Sequence, residues 1–431
     1  MQHSPEKILS DLIRIDSTNP PGNETAVAQY LKELFSSVGV EGEVIEPEKG
    51  RGSFIARVGS GPRKILYLSH SDVVPAGEGW DFDPFSGEIK DGVVYGRGAL
   101  DCKDLMAAQV SAAMELIKEG APLKGELIIA ATADEEKGGM LGTSYLLEHY
   151  PEKLKADFAV NEGADQPVLK NGKILYFLQV GEKGTAWSTI KASGKSGHGS
   201  VPTLADNAVV KISRAVTRLN NYWAENVLIP EVEKLFKDLA GLFGLDKNLI
   251  KPSEIDNFLE QLPLEKNFVE ALRSMTRMTV SPNMIKGGTK TNIVPDYCEA
   301  SVDIRIMPGQ DCEYVESQLR PVIGKDVEIE FDEYQPATFT SSEEPYYKLM
   351  EEITLKMAGS EAICLPVISA GSTDSKFLRA AGIPSYGVGH MDKNFDGEAR
   401  TTVHGRNERI DVASLNFKTA FLKQLARRYL A

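Results

Sequence analysis

The 431-residue chain predicts an α/β fold: a mostly parallel sheet flanked by helices, interrupted by an inserted α+β unit. Three observations carry that expectation. Short apolar β runs alternate with helical spacing between Ile65 and Glu162, the pattern of strands covered on both faces. Near residue 184 the pattern changes to strand alternation followed by a long leucine-rich helical stretch, and near residue 336 it changes back.

Taken in order, Lys64–Ser69 is the first β run and ends at His70. Val93–Tyr95 is a second, followed by the glycine-punctuated turn Gly96–Gly98. Asp104–Lys118 sets Leu105, Met106, Val110, Ala113, Met114 and Ile117 at helical spacing, and Gly120 closes it. Glu126–Thr132 reads as a fully buried strand and Asp157–Val160 as a shorter one. In the insertion, Ala186–Ala192 alternates as a strand, the turn Ser193–Ser200 follows, and a helix begins near Asp206. Residues 221–277 are helical and charged, with breaks at Pro230, Pro252 and Pro263. Met278–Ile285 and Cys298–Ile306 are strands, and Cys312–Ile323 is a helix. The remainder holds a strand-like patch at Ala362–Ile368 and a C-terminal helix from about Asp411. These changes divide the chain into 1–183, an inserted unit 184–335 with a helical extension over 221–277, and 336–431.

Charge and composition exclude several functions. There are 48 basic and 62 acidic residues, a net −14, and nucleic acid or an anionic membrane would need a basic face instead. Apolar runs are strand-sized, as in Glu126–Ala131, far short of the ~20 residues of a membrane helix. Met1–Asp11 carries charges and a proline rather than an apolar core, so a cytoplasmic protein is expected. Cys102, Cys298, Cys312 and Cys364 lack regular spacing and read as reduced thiols. Gly194-Lys195-Ser196 fails as a phosphate loop because Thr189 stands where its first glycine belongs. Gly96-x-Gly98 lacks the third glycine of a dinucleotide fingerprint, and GxSxG and HExxH are absent.

The chain has six histidines, of which His3 and His149 lie in polar, surface-like surroundings and His390 reads as a packed or surface residue, with a place facing the pocket as the alternative. His70 and several carboxylates coincide with strand ends. His70 follows one strand with Asp72 two residues on, Asp101 lies beyond Val93–Tyr95, Glu135 and Glu136 follow Glu126–Thr132, and Glu162 follows Asp157–Val160. Singly, such residues are ordinarily structural or solvated. Together, in a parallel sheet, they gather where open α/β sheets place their ligand sites. Imidazole with carboxylates suits Zn²⁺, Mn²⁺ or Co²⁺. Two cations ~3.5–4 Å apart need a bridging carboxylate and further ligands on each side, which His70, Asp101, Glu136, Glu162 and His404 would supply. Adjacent Glu135 and Glu136 allow one to bind metal while the other serves as general base, and Asp72 suits the ring N–H of His70.

These stretches resemble the M20 family of co-catalytic metallopeptidases and aminoacylases, which includes acetylornithine deacetylase, succinyl-diaminopimelate desuccinylase and carboxypeptidases. The likeness runs from Ser17-Thr18-Asn19-Pro20 to His404. Between them lie Ser69-His70-Ser71-Asp72, Gly96-Arg97-Gly98-Ala99-Leu100-Asp101-Cys102-Lys103, Asp134-Glu135-Glu136, Asn161-Glu162-Gly163 and Ser196-Gly197-His198-Gly199. The resemblance implies a co-catalytic metallohydrolase domain with an inserted lid and dimerisation domain. It implies two zinc ions, with cobalt or manganese as substitutes. His70 and Glu162 would bind one ion, Glu136 and His404 the other, and Asp101, followed by a cis peptide bond, would bridge them. Glu135 is the implied general base and Asp72 the group orienting His70. His198 would stabilise the oxyanion, often in a partner subunit's site, so a homodimer is expected. Asn292, Arg305, Gly371 and Ser372 match substrate-binding pieces, with Arg305 a fork for a carboxylate.

The chain also departs from the common pattern. Cys102-Lys103-Asp104 replaces Met-Lys-Gly and is closer to the carboxypeptidase S-like branch, and 221–277 enlarges the lid. The expected activity is hydrolysis of an amide bond next to a free carboxylate in an N-acyl amino acid or short peptide. A metallo-aminopeptidase or dipeptidase is the alternative, and an inactive binding scaffold the remote one.

Overall fold

The computed structural model describes residues 4–164 and 166–431, so His3 lies outside the described residues. The chain divides into two compact units. The first comprises Met1–Val180, Thr340–Val367 and Thr373–Ala431; the second comprises Gly181–Phe339 and Ile368–Ser372.

In the first unit the central strands are apolar along nearly their whole length. Ile65, Leu66, Tyr67 and Leu68 are all buried, as are Leu127 to Ala131, because helices cover both faces of the sheet. Arg63–His70 runs parallel to Gly125–Thr132 on one side and to Phe158–Asn161 on the other, and Ser385–Val388 continues the parallel set. Antiparallel strands flank it: Ser53–Gly59 and then Gly42–Ile45 at one edge, Lys173–Glu182 at the other. The parallel register aligns His70 with Thr132 and Tyr67 with Val160, so the segments after these strands emerge at one end of the sheet. The helix Lys103–Lys118 is buried almost all round and rich in alanine, which lets neighbouring elements approach closely. The C-terminal helix Val412–Leu430 starts at Asp411, whose carboxylate accepts the Ser414 amide.

One expected strand belongs elsewhere. Val93–Tyr95 is not part of the main sheet; it pairs antiparallel with Ile89–Lys90 and Arg409–Asp411 in a separate three-stranded sheet. The cause is local. Asp91 and Gly92 both adopt positive φ, 51° and 77°, and make the two-residue turn of a tight hairpin. Asp101 therefore reaches the site from the start of the helix Lys103–Lys118 rather than from a sheet strand.

The second unit is built on a four-stranded antiparallel sheet ordered Thr279–Gly287, Tyr297–Ile306, Gly184–Ser193, Glu328–Gln335. Alternate residues of Tyr297–Ile306 are buried, and Ala300, Val302 and Ile304 share a core with Ile212, Leu219, Val315 and Leu319. Those partners come from the helices Ala208–Asn220 and Cys312–Ile323, capped by Asn207 and Asp311. The extension folds as helices Pro230–Phe243, Ile255–Glu260 and Lys266–Ser274, with Phe236 against Phe258. Among the described residues no helix is long and apolar enough to cross a membrane, and all four cysteines are free.

Candidate active site

His70 is buried at the end of its strand. Its Nδ1 hydrogen goes to the Asp72 carbonyl oxygen at 2.9 Å, with the Asp72 carboxylate 3.4 Å away. That leaves Nε2 as the lone-pair nitrogen, 3.1 Å from Asp101 Oδ1 and 3.6 Å from Glu162 Oε1. The other Asp101 oxygen, Oδ2, lies 3.0 Å from His404 Nε2, which is also 3.5 Å from Glu136 Oε2. One carboxylate thus faces two imidazoles. The bond Asp101–Cys102 is cis.

The Asp72 carboxylate, itself buried, has a second task. It accepts the amides of Glu135 at 3.2 Å and Glu136 at 3.1 Å, and the Asn19 side chain at 2.8 Å. The two glutamates are thereby fixed in the one-turn helix Glu135–Lys137. Asp134, at φ 74°, turns the chain into it and is held by Arg51 at 2.6 Å, which also pairs with Glu24. Asn19 lies in the stretch Ser17-Thr18-Asn19-Pro20. Arg51 and Glu24 do not, and no local signal marks them.

The electrostatics follow from crowding carboxylates in a dry site. Burial, with Glu162 and Asp374 nearby, holds Glu135 well above the ordinary carboxylate range. Burial likewise pushes Glu162 up to about 7. For Asp101 burial is outweighed by His404 and His70, which hold it below its usual value. Burial opposes a charge on His70, yet Cys102, Glu162, Asp101 and Asp72 around it raise its proton affinity well above normal. Hydrogen bonds to Asp101 and Glu136 raise His404 to about 10.

The residues fit a pair of divalent ions on geometric grounds. Glu136 Oε1 is buried without a partner among the described residues. Ligand atoms of His70, Asp101 and Glu136 lie within 4.8 Å of one another, as do those of His70, Cys102 and Glu162. Imidazole nitrogen and carboxylate oxygen are the donors that borderline divalent cations take.

The remaining candidates lie in the second unit. His198 is exposed, with Nδ1 2.7 Å from Ser200 Oγ, and its strand pairs at Ile293. Asn292 is adjacent, since its carbonyl accepts the Gly199 amide at 2.8 Å. Arg305 is at the other end of Tyr297–Ile306, about 26 Å from Tyr297 at roughly 3.3 Å per residue. Asp303 takes its Nε at 2.7 Å and Nη2 at 3.2 Å, and the guanidinium lies over Trp187. Gly371 is exposed, its amide on Ser369 Oγ, and Ser372 is half-buried. His390, in the first unit, is buried against Phe421 with Nε2 on Thr354, and His149 is exposed.

An aspartate shared by two imidazoles, with a half-buried glutamate beside it at the carboxyl end of a parallel sheet, defines a hydrolytic enzyme built around divalent cations. More narrowly, the chain belongs to peptidase family M20/M25/M40, which matches residues 66–428. It is 29% identical over 321 residues to the probable succinyl-diaminopimelate desuccinylase of Staphylococcus aureus strain MRSA252, covering 74% of this chain and 71% of that protein. It is 28% identical over 438 residues to the human N-fatty-acyl-amino acid synthase/hydrolase PM20D1, covering 94% and 82%. Its fold matches that of the M20 family metallo-carboxypeptidase Sso-CP2 from Sulfolobus solfataricus, with TM-score 0.72 and 22% identity over 98% of both chains.

Proposed function

We propose that this enzyme hydrolyses the amide bond next to a free carboxylate in N-acyl amino acids or short peptides, using two zinc ions that cobalt or manganese can replace. The observation that carries this reading is Asp101, whose two oxygens face His70 and His404. His70 and Glu162 hold one cation, Glu136 and His404 the other, and Asp101 both. When bound, the pair polarises the substrate carbonyl and acidifies water. Glu135 takes the proton of the attacking water and passes it to the leaving amine, a task suited to a carboxylate whose burial raises its proton affinity. Asp72 keeps Glu135 in place through its amide. The names of the two relatives, both acting on acylated amino acids, support the substrate class.

The inserted unit acts as a lid and dimerisation domain in this reading. Arg305 binds the substrate carboxylate, with Asn292, Gly371 and Ser372 lining the same pocket, and His198 stabilises the oxyanion. His198 lies on the short strand Gly197–His198, paired with Ile293 and Val294, and stands exposed; in this reading it serves the site of a second copy. The edge strand Thr279–Gly287, with Met284 and Ile285 exposed, is the seam.

The test is a panel in which the zinc-, cobalt- and manganese-loaded enzyme meets N-acetyl-alanine and Ala-Ala-Ala. Cleavage of the acylated substrate is expected. Cleavage confined to peptides with a free amino terminus would move the enzyme to the aminopeptidases, and a purified chain unable to take up any of these cations would be a scaffold.

A further inference from the structure

Two buried side chains outside the proposed ligand set tie its distant segments together. Glu408 is fully buried four residues after His404. Its Oε1 accepts the amides of Leu100 at 2.7 Å and Asp101 at 3.0 Å. Its Oε2 accepts the Gly98 amide at 2.9 Å and Arg97 Nη1 at 2.6 Å. Its own carbonyl takes the Gly96 amide at 2.9 Å. All five bonds fall on Gly96–Asp101, the segment that ends in the shared aspartate. Arg97 faces the other way as well: its Nη2 donates to the Gly405 carbonyl at 2.6 Å, beside His404, and its guanidinium lies over Trp80.

We propose that Glu408 and Arg97 are positioning residues that together set the affinity for both cations, by clamping the Asp101 segment to the His404 loop before any cation arrives. The inference rests on the two-cation reading above and adds residues that touch neither ion. The division of labour is geometric. Glu408 aims Asp101, the group shared by both positions, whereas Arg97, besides pairing with Glu408, adds the tie to Gly405 beside His404, which serves one. A carboxylate with four donors around it is specific to this task, since an amide in its place would turn an N–H against backbone N–H groups. A lysine at 97 keeps the charge beside Glu408, but a single ammonium cannot span to the Gly405 carbonyl as the fork does.

The experiment titrates Zn²⁺ calorimetrically into the metal-depleted full chain, with circular dichroism and melting of the metal-free forms as the check on folding. Wild type should bind two ions. Glu408→Gln should weaken both by about 10- to 100-fold, the usual consequence of removing a support behind metal ligands. Arg97→Lys should weaken one position by a similar factor while leaving the other within a few-fold. Two ions bound as tightly by a folded Glu408→Gln as by wild type would overturn the clamp, and so would Arg97→Lys with both affinities unchanged should Glu408→Gln fail to fold. Wild type that binds no zinc would instead sink the two-cation reading, so the two failures are told apart.

Discussion

The two units hold their candidate residues in opposite ways. In the first, His70, Asp72 and Glu408 are buried, and each is fixed by contacts to backbone groups or neighbouring carboxylates. In the second, His198 stands exposed with a single serine on its ring, and Arg305 is half-buried on Tyr297–Ile306. The first arrangement is set before ligands arrive. The second presents the ring of His198 on an open surface, where what it binds would complete its geometry. The difference teaches where function should be robust and where it should depend on assembly.

The largest expected effect tests the preset half. Glu135→Gln keeps the size of the side chain and removes the carboxylate that handles the proton. Turnover should fall by about 10²–10⁴-fold, the usual worth of a general base, with metal content by atomic absorption unchanged. Retained turnover would remove Glu135 from the chemistry, and lost metal would make it a ligand.

The next effect tests the open half. His198→Ala should lower kcat by about 10²–10³-fold, as loss of an oxyanion donor does, and leave the melting temperature nearly unchanged because the ring is exposed. If His198 acts across copies, mixing His198→Ala with Glu135→Gln should restore activity toward roughly a quarter of wild type, since half the dimers then carry one complete site. No recovery in a mixed dimer, verified by light scattering, would confine His198 to its own chain.

The same contrast governs what the sequence discloses. The parallel strands ending at His70, Thr132 and Asn161 are legible because burial on both faces writes continuous apolar runs, and the polar residues after them stand out; Ser385–Val388, also parallel and buried, is not, because Ser385 and Gly387 interrupt its apolar run. Val93–Tyr95 was misplaced because three apolar residues fit either sheet, although Asp91-Gly92 carried the hairpin signal that decides it. The antiparallel strand Gly42–Ile45 is not legible because an edge strand needs no uniform apolar run, and Ser53–Gly59, although internal and mostly buried, has its apolar run broken by Arg57. Glu408 was illegible for another reason. Its partners are backbone amides some three hundred residues away, and an amide leaves no trace in side-chain identity. Arg305 shows the reverse. Its motif is plain, but the Asp303 and Trp187 that occupy and cover its guanidinium appear only in three dimensions.

The smallest effect separates the units by their response to pH. In the first unit, burial and Lys418 push His390 down to about 3, so it stays neutral in the fold while an unfolded imidazole takes a proton near 6.5. Between those values the unfolded chain binds more protons. Stability conferred by the neutral ring is therefore complete above about 6.5 and lost as pH falls toward 3, by up to about 1.4 kcal/mol per pH unit for one proton. In the second unit, burial with Arg305 and Arg277 lowers Lys183 to about 7, and its Nζ donates to the Ser274 and Arg277 carbonyls. Its unfolded value is near 10.5, so that contribution is complete above about 10.5 and lost as pH falls toward 7. The inserted unit should thus lose stability as pH falls from about 10.5 to 7, and the first unit as it falls from about 6.5 to 3. His390→Phe, which keeps the aromatic packing against Phe421, should flatten the melting-temperature slope between pH 6.5 and 4.5 and leave the slope from pH 10 to 7 as it was. Equal slopes for wild type and variant on the acid side would mean that His390 is protonated in the fold, and that some other buried group carries the acid response.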